Sequence, residues 1–434
     1  MPLTAHGQFD LDSTAHDDYK NKVFYSSVPF ICHFFKEEWM MTKRFGKYAV
    51  LFALVAMTGL VLFGCGQQQE QSAETAKETA PAKASMEPIK LGVAGAHSGD
   101  LASYGIPSVR AAELIVKKRN AMNGICGRQI ELLVEDDVCK PEVATNTATK
   151  LVTDGADVVM GHICSGATKA AMGIYKESGV IAMSPSATNP ALTQSGDYPN
   201  FYRTIASDDA QARLEVDFAL DVLGLNKIAV LHDKGDYGKG LAEFAKGFLE
   251  ADERAEVVLY EGITPGAVDY SAVVQKIKRS EAEAVIFGGY HPEASKLVQQ
   301  MRNAGMDTVF ISDDGVKDDT FIKVAGEFAE GVYATGPVDT SQNPVAVEAV
   351  ESHKQEYGEE PGAFFLNAYA ATLALLNAIE KSGSTEYDVL TRTLQSEWVA
   401  TPLGIIKFDE KGDAIGVGFA MYQVQQGQYV TVEY

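Results

Sequence analysis

Two adjoining runs decide how this chain is read. The first is Gly161-His162-Ile163-Cys164-Ser165-Gly166-Ala167-Thr168, and after a helix-like run to Gly179 comes Val180-Ile181-Ala182-Met183-Ser184-Pro185-Ser186-Ala187-Thr188-Asn189-Pro190. Each half is a buried strand (Val158-Val159-Met160, then Val180 to Met183) that breaks into a small, hydroxyl-rich loop. In a parallel sheet such loops lie at the carboxyl ends of the strands, where open α/β sheets bind ligands. Ser165 stands just before the helix-like run Ala167 to Ser178, so free backbone N–H groups and the positive helix end point into the same space. That arrangement suits a small anion such as a carboxylate. Ser165 and Thr188 also read as ordinary N-cap and turn residues, and the local pattern leaves both readings open.

Outward from this stretch the chain alternates β and α. Before it come strands at Ile89–Ala94 and Gln129–Glu135, with helices near Ile106–Met122 and Pro141–Thr153. A second series starts near Ser207, with strands at Lys227–Leu231, Val257–Tyr260, Ala284–Phe287 and Val309–Ile311 separated by helices. Gly331–Thr335 continues it, three more helices lead to Ile405–Phe408, and Gly418–Val424 and Gln428–Val432 close the chain. Two βα series of similar size predict two doubly wound parallel-sheet lobes with helices on both faces. The cleft between them is then the expected ligand site.

The 434 residues are 46% hydrophobic, enough for two cores without a metal or a dense set of disulfides. Net charge is −22, and residues 1–64 carry six Lys/Arg and six Asp/Glu, so the excess belongs to the body. So acidic a body argues against nucleic acid or an anionic membrane surface as partner. Lys43-Arg44 and Lys47 precede an apolar run of 15 residues, Ala49 to Phe63, short for a transmembrane helix and typical of a signal-peptide core. It ends Leu62-Phe63-Gly64-Cys65, which resembles the bacterial lipobox, with Cys65 the lipidated residue; an uncleaved membrane anchor is the alternative. The expected organisation is therefore an over-extended start at 1–40, a lipoprotein signal peptide at 41–64, and a lipidated cysteine with a flexible Gln/Ala/Glu-rich tether at 65–88. Such a protein is exported and lipid-anchored on the periplasmic or cell-surface side of a bacterial membrane.

The chain from Ile89 to Tyr434 resembles the periplasmic branched-chain amino-acid binding proteins, the type I solute receptors of leucine/isoleucine/valine transporters. The resemblance is carried by Gly92-Val93-Ala94-Gly95-Ala96-His97-Ser98-Gly99, Tyr104-Gly105, Asp136-Asp137-Val138-Cys139 and Gly161 to Ser165. It continues through Ser184 to Thr188, His232-Asp233-Lys234 with Tyr237-Gly238, Gly288 to Glu293, and Phe408 to Asp413. It implies two lobes joined by three crossovers, near Ser207, Pro337 and Gly412. The N-terminal lobe would be 89–206 with 338–412, and the C-terminal lobe 207–337 with 413–434. It further implies that Ser165 and Thr188 hold a ligand α-carboxylate, while the Ser186 carbonyl, the Thr188 hydroxyl and Asp314 hold its ammonium. Tyr104, Ile163, Tyr237 and Tyr290 would line the side-chain pocket, and Cys139 would be joined to Cys164, leaving Cys126 outside that pairing. Asp314 stands where many relatives carry Glu, one methylene shorter, which bears on ligand preference. The implied partners are a leucine, isoleucine or valine ligand and an ABC-transporter permease, for a monomer touching the membrane only through its lipid.

Other chemistry is poorly supported by the residues. His162 and Cys164 are two apart in an extended segment and point to opposite faces, which does not make a nucleophile–base pair. The eight His show no metal-ligand spacing, and Gly92-x-x-Gly95-x-x-x-Gly99 is not a dinucleotide fingerprint. No cofactor, metal or enzymatic role is expected. An amino-acid-sensing module of the same fold is the alternative function; it calls for a transmembrane helix and a signalling domain, for which the chain has no pattern.

Overall fold

The computed structural model describes residues 87–434; the signal-peptide, Cys65 and tether expectations lie outside them. The first sheet is built from β1 (Ile89–Gly95), followed by α1 (Ala102–Ala121), β2 (Ile130–Asp136), α2 (Pro141–Thr153), β3 (Val158–Met160), α3 (Ser165–Glu177), β4 (Ile181–Ser184) and β5 (Phe201–Arg203). Its five strands are all parallel, in the order β2-β1-β3-β4-β5. Alternate residues sort to opposite faces, as the two-residue period requires. Leu91, Val93, Val158, Met160, Ile181 and Met183 join one core, whereas Ala94, Val159 and Ala182 join the other with Leu151, Met172 and Tyr175 from α2 and α3. Strands buried on both faces read as continuous apolar runs, which is why they stood out in the sequence.

The chain then passes to a second sheet through α4 (Asp208–Asp217), β6 (Lys227–His232), α5 (Asp236–Glu250), β7 (Glu256–Gly262), α6 (Ser271–Ser280), β8 (Ala284–Gly288), α7 (His291–Asn303), β9 (Val309–Ser312), α8 (Asp319–Ala325) and β10 (Tyr333–Pro337). From there it returns to the first body. There α9 (Pro344–Tyr357) and α10 (Phe365–Ser382) pack on α1, followed by α11 (Tyr387–Ser396), β11 (Val399–Thr401), β12 (Gly404–Phe408) and β13 (Ala414–Ile415). Pro344 at the first turn, the Asn343 side chain accepting from Val345 N, and Gly358 at φ +75° begin and end α9 by ordinary capping chemistry. The last strands, β14 (Phe419–Gln425) and β15 (Gln428–Thr431), go back to the second sheet, whose order is β15-β14-β10-β9-β8-β6-β7.

Three features differ from the sequence reading. The second sheet is parallel only from β10 to β7; β14 and β15 add an antiparallel edge. A small antiparallel sheet, β11-β12-β13, was not expected at all. The third passage, placed near Gly412 from sequence, comes after Ile415. Ala414 and Ile415 still pair with β12, and Asp413 is held by the buried Arg203 guanidinium at 2.5 Å. A polar turn resembles a linker in sequence, and only the ion pair keeps it on the first body.

Candidate functional site

The carboxyl ends of the two sheets face each other, and the loops that leave them make the site. On the first side, α3 begins at Ser165 with no side chain capping it, so its end carries free N–H groups and partial positive charge. The loop after β4 is tied to this helix start. Ser184 Oγ donates to His162 O (2.5 Å) and accepts from Ala187 N (2.8 Å), Ser186 Oγ donates to Ile163 O (2.8 Å), and Asn189 N donates to Ser165 Oγ (3.3 Å). Thr188 is fully buried and its carbonyl receives Arg203 Nη1 (2.6 Å) and Asp208 N (3.0 Å). Its hydroxyl, although beside Asp208, makes no hydrogen bond of normal geometry.

On the second side, Tyr237 lies in the first turn of α5, and its hydroxyl donates to Asp314 Oδ1 and accepts from Gly315 N (3.0 Å). Burial pushes the Asp314 carboxyl up to about 6, against the pull of Tyr237 and Gln211, and its Oδ2 has no protein partner. Gly315 is demanded by closeness: a Cβ there would meet Gly289 O at 2.5 Å and Tyr237 Cε1 at 2.9 Å. Asp313, fully buried, accepts from Gly289 N (2.8 Å) and fixes the loop from behind.

Tyr104 bridges the two sides. Its hydroxyl lies 2.6 Å from Gly315 O and 2.7 Å from His291 Nδ1. A phenol has one proton, which the carbonyl must receive, so His291 Nδ1 is the donor to Tyr104. Gly105 lets α1 come this close, since a Cβ there would stand 1.9 Å from Ala96 O. The Tyr104 ring lies 6.2 Å from that of Tyr290 and 5.5 Å from that of Phe364, and Tyr290 lies 5.1 Å from Tyr237. At the rim, Lys169 Nζ pairs with Asp236 Oδ1 (3.0 Å) and Asn189 Nδ2 donates to Asp236 O (2.6 Å).

Between these groups lies a small cavity of about 10 Å³. Of the residues singled out in the sequence, Tyr104, Ile163, Cys164, Ser186, Tyr237, Tyr290 and Asp314 line it. Ser165 and Thr188 do not; they are buried beside it, with the helix end. Phe364 and Gly315 line it without having been picked out. Phe364 is held at φ +60° at the start of α10, a conformation that sequence does not announce for a phenylalanine. A wider groove of about 360 Å³ lies behind the wall made by Asp314 and Phe364; the smaller cavity is the one lined by residues of both sides that the sequence singled out.

Sequence reasoning also missed a set of buried acids. Asp208, Gln211 and Glu215 lie on one face of α4 and are fully buried. Gln211 Nε2 donates to Thr335 Oγ1 (2.7 Å), which donates to Glu215 Oε1 (3.1 Å). Burial pushes Asp208, Glu215 and Asp313 well above the usual carboxylate range. Elsewhere, Cys139 and Cys164 are disulfide-bonded. His162 is committed to Asp137 Oδ2 (2.6 Å) and Tyr175 OH (2.9 Å), away from any nucleophile. Among the described residues no group of three or more His, Cys, Asp or Glu is placed to hold a metal ion, and no helix is long and apolar enough to cross a membrane.

Residues 88–428 match the family model described as periplasmic binding protein. The chain is 36% identical over 335 residues, 77% of its length and 89% of the relative's, to a leucine-, isoleucine-, valine-, threonine- and alanine-binding protein of Pseudomonas aeruginosa. It is also 36% identical over 336 residues, 77% of this chain and 90% of the other, to a Leu/Ile/Val-binding protein of Escherichia coli. Among solved structures it resembles the branched-chain amino acid transporter substrate binding protein LivJ of Streptococcus pneumoniae in complex with isoleucine. There the TM-score is 0.71 at 29% identity, covering 80% of this chain and all of the other.

Proposed function

Because the chain belongs to the periplasmic binding protein family, we propose that it is an extracytoplasmic receptor that captures a branched-chain or similar apolar amino acid between its lobes and delivers it to the permease of an ABC transporter. The observation that carries this is the polarity of the cavity between the two sides. A free helix end with Ser165 and Thr188 stands on one side, a buried Asp314 oxygen without a protein partner on the other, and aromatic rings lie between. A small zwitterion with an apolar side chain has the complementary pattern. Its carboxylate goes to Ser165, Thr188 and the N–H groups of α3. Its ammonium goes to the Ser186 carbonyl, the Thr188 hydroxyl and Asp314. Its side chain lies against Tyr104, Ile163, Tyr237 and Tyr290, with Phe364 closing the end.

On this reading the work done is binding, not catalysis: no nucleophile with a base and an orienter converges on the cavity among the described residues. Cys65 would carry the lipid that anchors a monomeric receptor, with 65–88 as tether. Titration calorimetry with a panel of amino acids, together with mass spectrometry of ligand released from denatured protein and a check for turnover, tests the proposal. Saturable binding of leucine, isoleucine or valine without product supports it; no binding across the panel, or conversion of the ligand, refutes it. The lipid is tested separately, by the mass of the amino-terminal peptide from membrane-extracted protein.

A further inference from the structure

The polar half of the site contains more negative groups than one ammonium contact requires. Several buried side-chain atoms without a hydrogen-bond partner lie here: Thr188 Oγ1, both oxygens of Asp208, Asp313 Oδ1, Asp314 Oδ2, Gln211 Oε1 and Glu215 Oε2. Asp208 is the most exposed to the problem, since it has neither exposure to water nor a bond to either oxygen. An unpaired buried carboxylate is among the most costly groups a fold can hold.

The cation nearest at hand does not resolve this. Arg203 is close enough to stabilise the Asp208 charge, but it makes no hydrogen bond to it: Nε goes to Asp413 Oδ1 (2.5 Å), Nη1 to Thr188 O (2.6 Å) and Asn189 O (3.1 Å), and Nη2 to Thr193 Oγ1 (2.9 Å). A metal ion does not fit either, as among the described residues no set of ligands converges on one. What the position of Asp208 does offer is proximity to the ligand groups. It is the first residue of α4, its N–H is bonded to Thr188 O (3.0 Å), its side chain adjoins the Thr188 hydroxyl, and it senses the charge of Asp314.

We propose that Asp208 is a second carboxylate of the ammonium pole, placed with Asp314 around a cation that also touches Thr188, so that the site selects α-amino compounds over isosteres lacking the amine. This rests on the reading of the cavity as an amino-acid site. An arriving ammonium supplies the missing donors and removes part of the burial penalty, which pushes Asp208 well above the usual range while Thr188 pulls it down. Asp208 and Asp314 come from different elements, the first from the segment that joins the two sheets. The ammonium therefore links that segment to the second sheet.

The test compares leucine with 2-hydroxy-4-methylpentanoate, which keeps the carboxylate and side chain but replaces the ammonium by a hydroxyl. Calorimetry is run on wild type and Asp208→Asn, with Asp208→Ser as the second variant should the amide not fold. Loss of one partner of a buried charge pair predicts that leucine affinity falls roughly thirtyfold or more, while the hydroxy acid changes less than about threefold. Equal losses for both ligands, or leucine affinity within about threefold of wild type, would overturn the assignment. Wild type that binds no amino acid at all overturns the amino-acid reading and this inference together, whereas leucine binding untouched by Asp208→Asn overturns the inference alone.

Discussion

Asp314→Asn separates charge from shape at the acidic pole. In the wild type Oδ1 is occupied by the Tyr237 hydroxyl, which is itself held by Gly315 N at 3.0 Å, so the side chain cannot easily turn away. The amide keeps that bond and replaces Oδ2, the oxygen without a protein partner, by an NH₂ group that confronts the ligand's ammonium. Removing one charge of such a pair weakens binding by about 2–5 kcal/mol, or roughly thirtyfold to several thousandfold. Folding is not expected to suffer, since burial already disfavours the carboxylate and pushes it up to about 6. The same shift fixes the pH dependence. The free carboxyl takes up a proton as pH falls through about 6, whereas a bound ammonium holds it ionised, so affinity declines below about 6, by at most tenfold per unit. Calorimetry with leucine on ligand-stripped protein from pH 5 to 8 reads both effects. Asp313 is a poor control because it is buried and bonded to Gly289 N; the exposed Asp319→Asn is the better one. An Asp314→Asn protein within about threefold of wild type at pH 7.5, with a superimposable pH curve, would refute the assignment.

Ser165→Ala and Thr188→Ala each remove a hydroxyl donor to a carboxylate, about 1.5–3 kcal/mol, so calorimetry should show roughly tenfold to a few hundredfold weaker leucine binding with melting curves little changed; two silent variants would move the carboxylate pole elsewhere. Tyr104→Phe removes bonds to Gly315 O and His291 that span the two sides; at about 0.5–1.5 kcal/mol each, stopped-flow dissociation should quicken roughly fivefold to a hundredfold, and an unchanged rate would deny the bridge a role in holding ligand. Cys139→Ser with Cys164→Ser opens a bond across a sequence separation of 25 and should lower chemical stability by about 3 kcal/mol; denaturant titration giving equal midpoints with and without the bond would count against it. In the ligand-free protein, Glu215 is raised by burial, so it binds its proton more tightly folded than unfolded, and its contribution to stability is lost as pH rises from about 4 upward. His97, His232, His291 and His353 are lowered by burial and act in the opposite sense below about 6.5, so the comparison is between variants. Glu215→Gln should gain on wild type steadily from pH 5 to 8 in thermal melts, and a constant difference would contradict this.

The parallel cores were legible because burial on both faces leaves no polar positions to interrupt the strands: Val158–Met160 and Ala284–Gly288 are buried throughout. Helix limits followed Pro141, Gly179 and Gly305, whose backbone roles are local. What escaped was decided at long range. Strand direction in β14 and β15 depends on which neighbour accepts them, and Asp413 stays with the first body through Arg203, 210 residues away. In the site, the loops after β3 and β4 and the tyrosines were readable from their place at strand ends. Phe364 was not, because it enters from α10 on the return passage.

The buried acids were hidden for a different reason. Along α4, Asp208, Asp209, Glu215 and Asp217 look like one solvated acidic face, yet the helix period separates them. Asp208, Gln211 and Glu215 share a buried stripe with Ala212 and Val216, while Arg213 stays exposed. A sequence pattern cannot distinguish a carboxylate turned to water from one turned inward when both recur at helical spacing. The inward ones have a consequence for how a receptor of this kind works. Burial raises the proton affinity of Asp208, Glu215, Asp313 and Asp314, and the charge of Asp314 raises that of the other three further, so ionised carboxylates there are held against burial and against a neighbour. Two neutral hydrogen bonds at Tyr104, about 0.5–1.5 kcal/mol each, are a weak counterweight. A ligand that brings a positive charge relieves the repulsion only when both sides of the site surround it, and so favours the closed arrangement over an open one by its own differential contacts. On this reading the acidic interior makes closure depend on the ammonium, and the clasp at Tyr104 sets how long the closed state lasts.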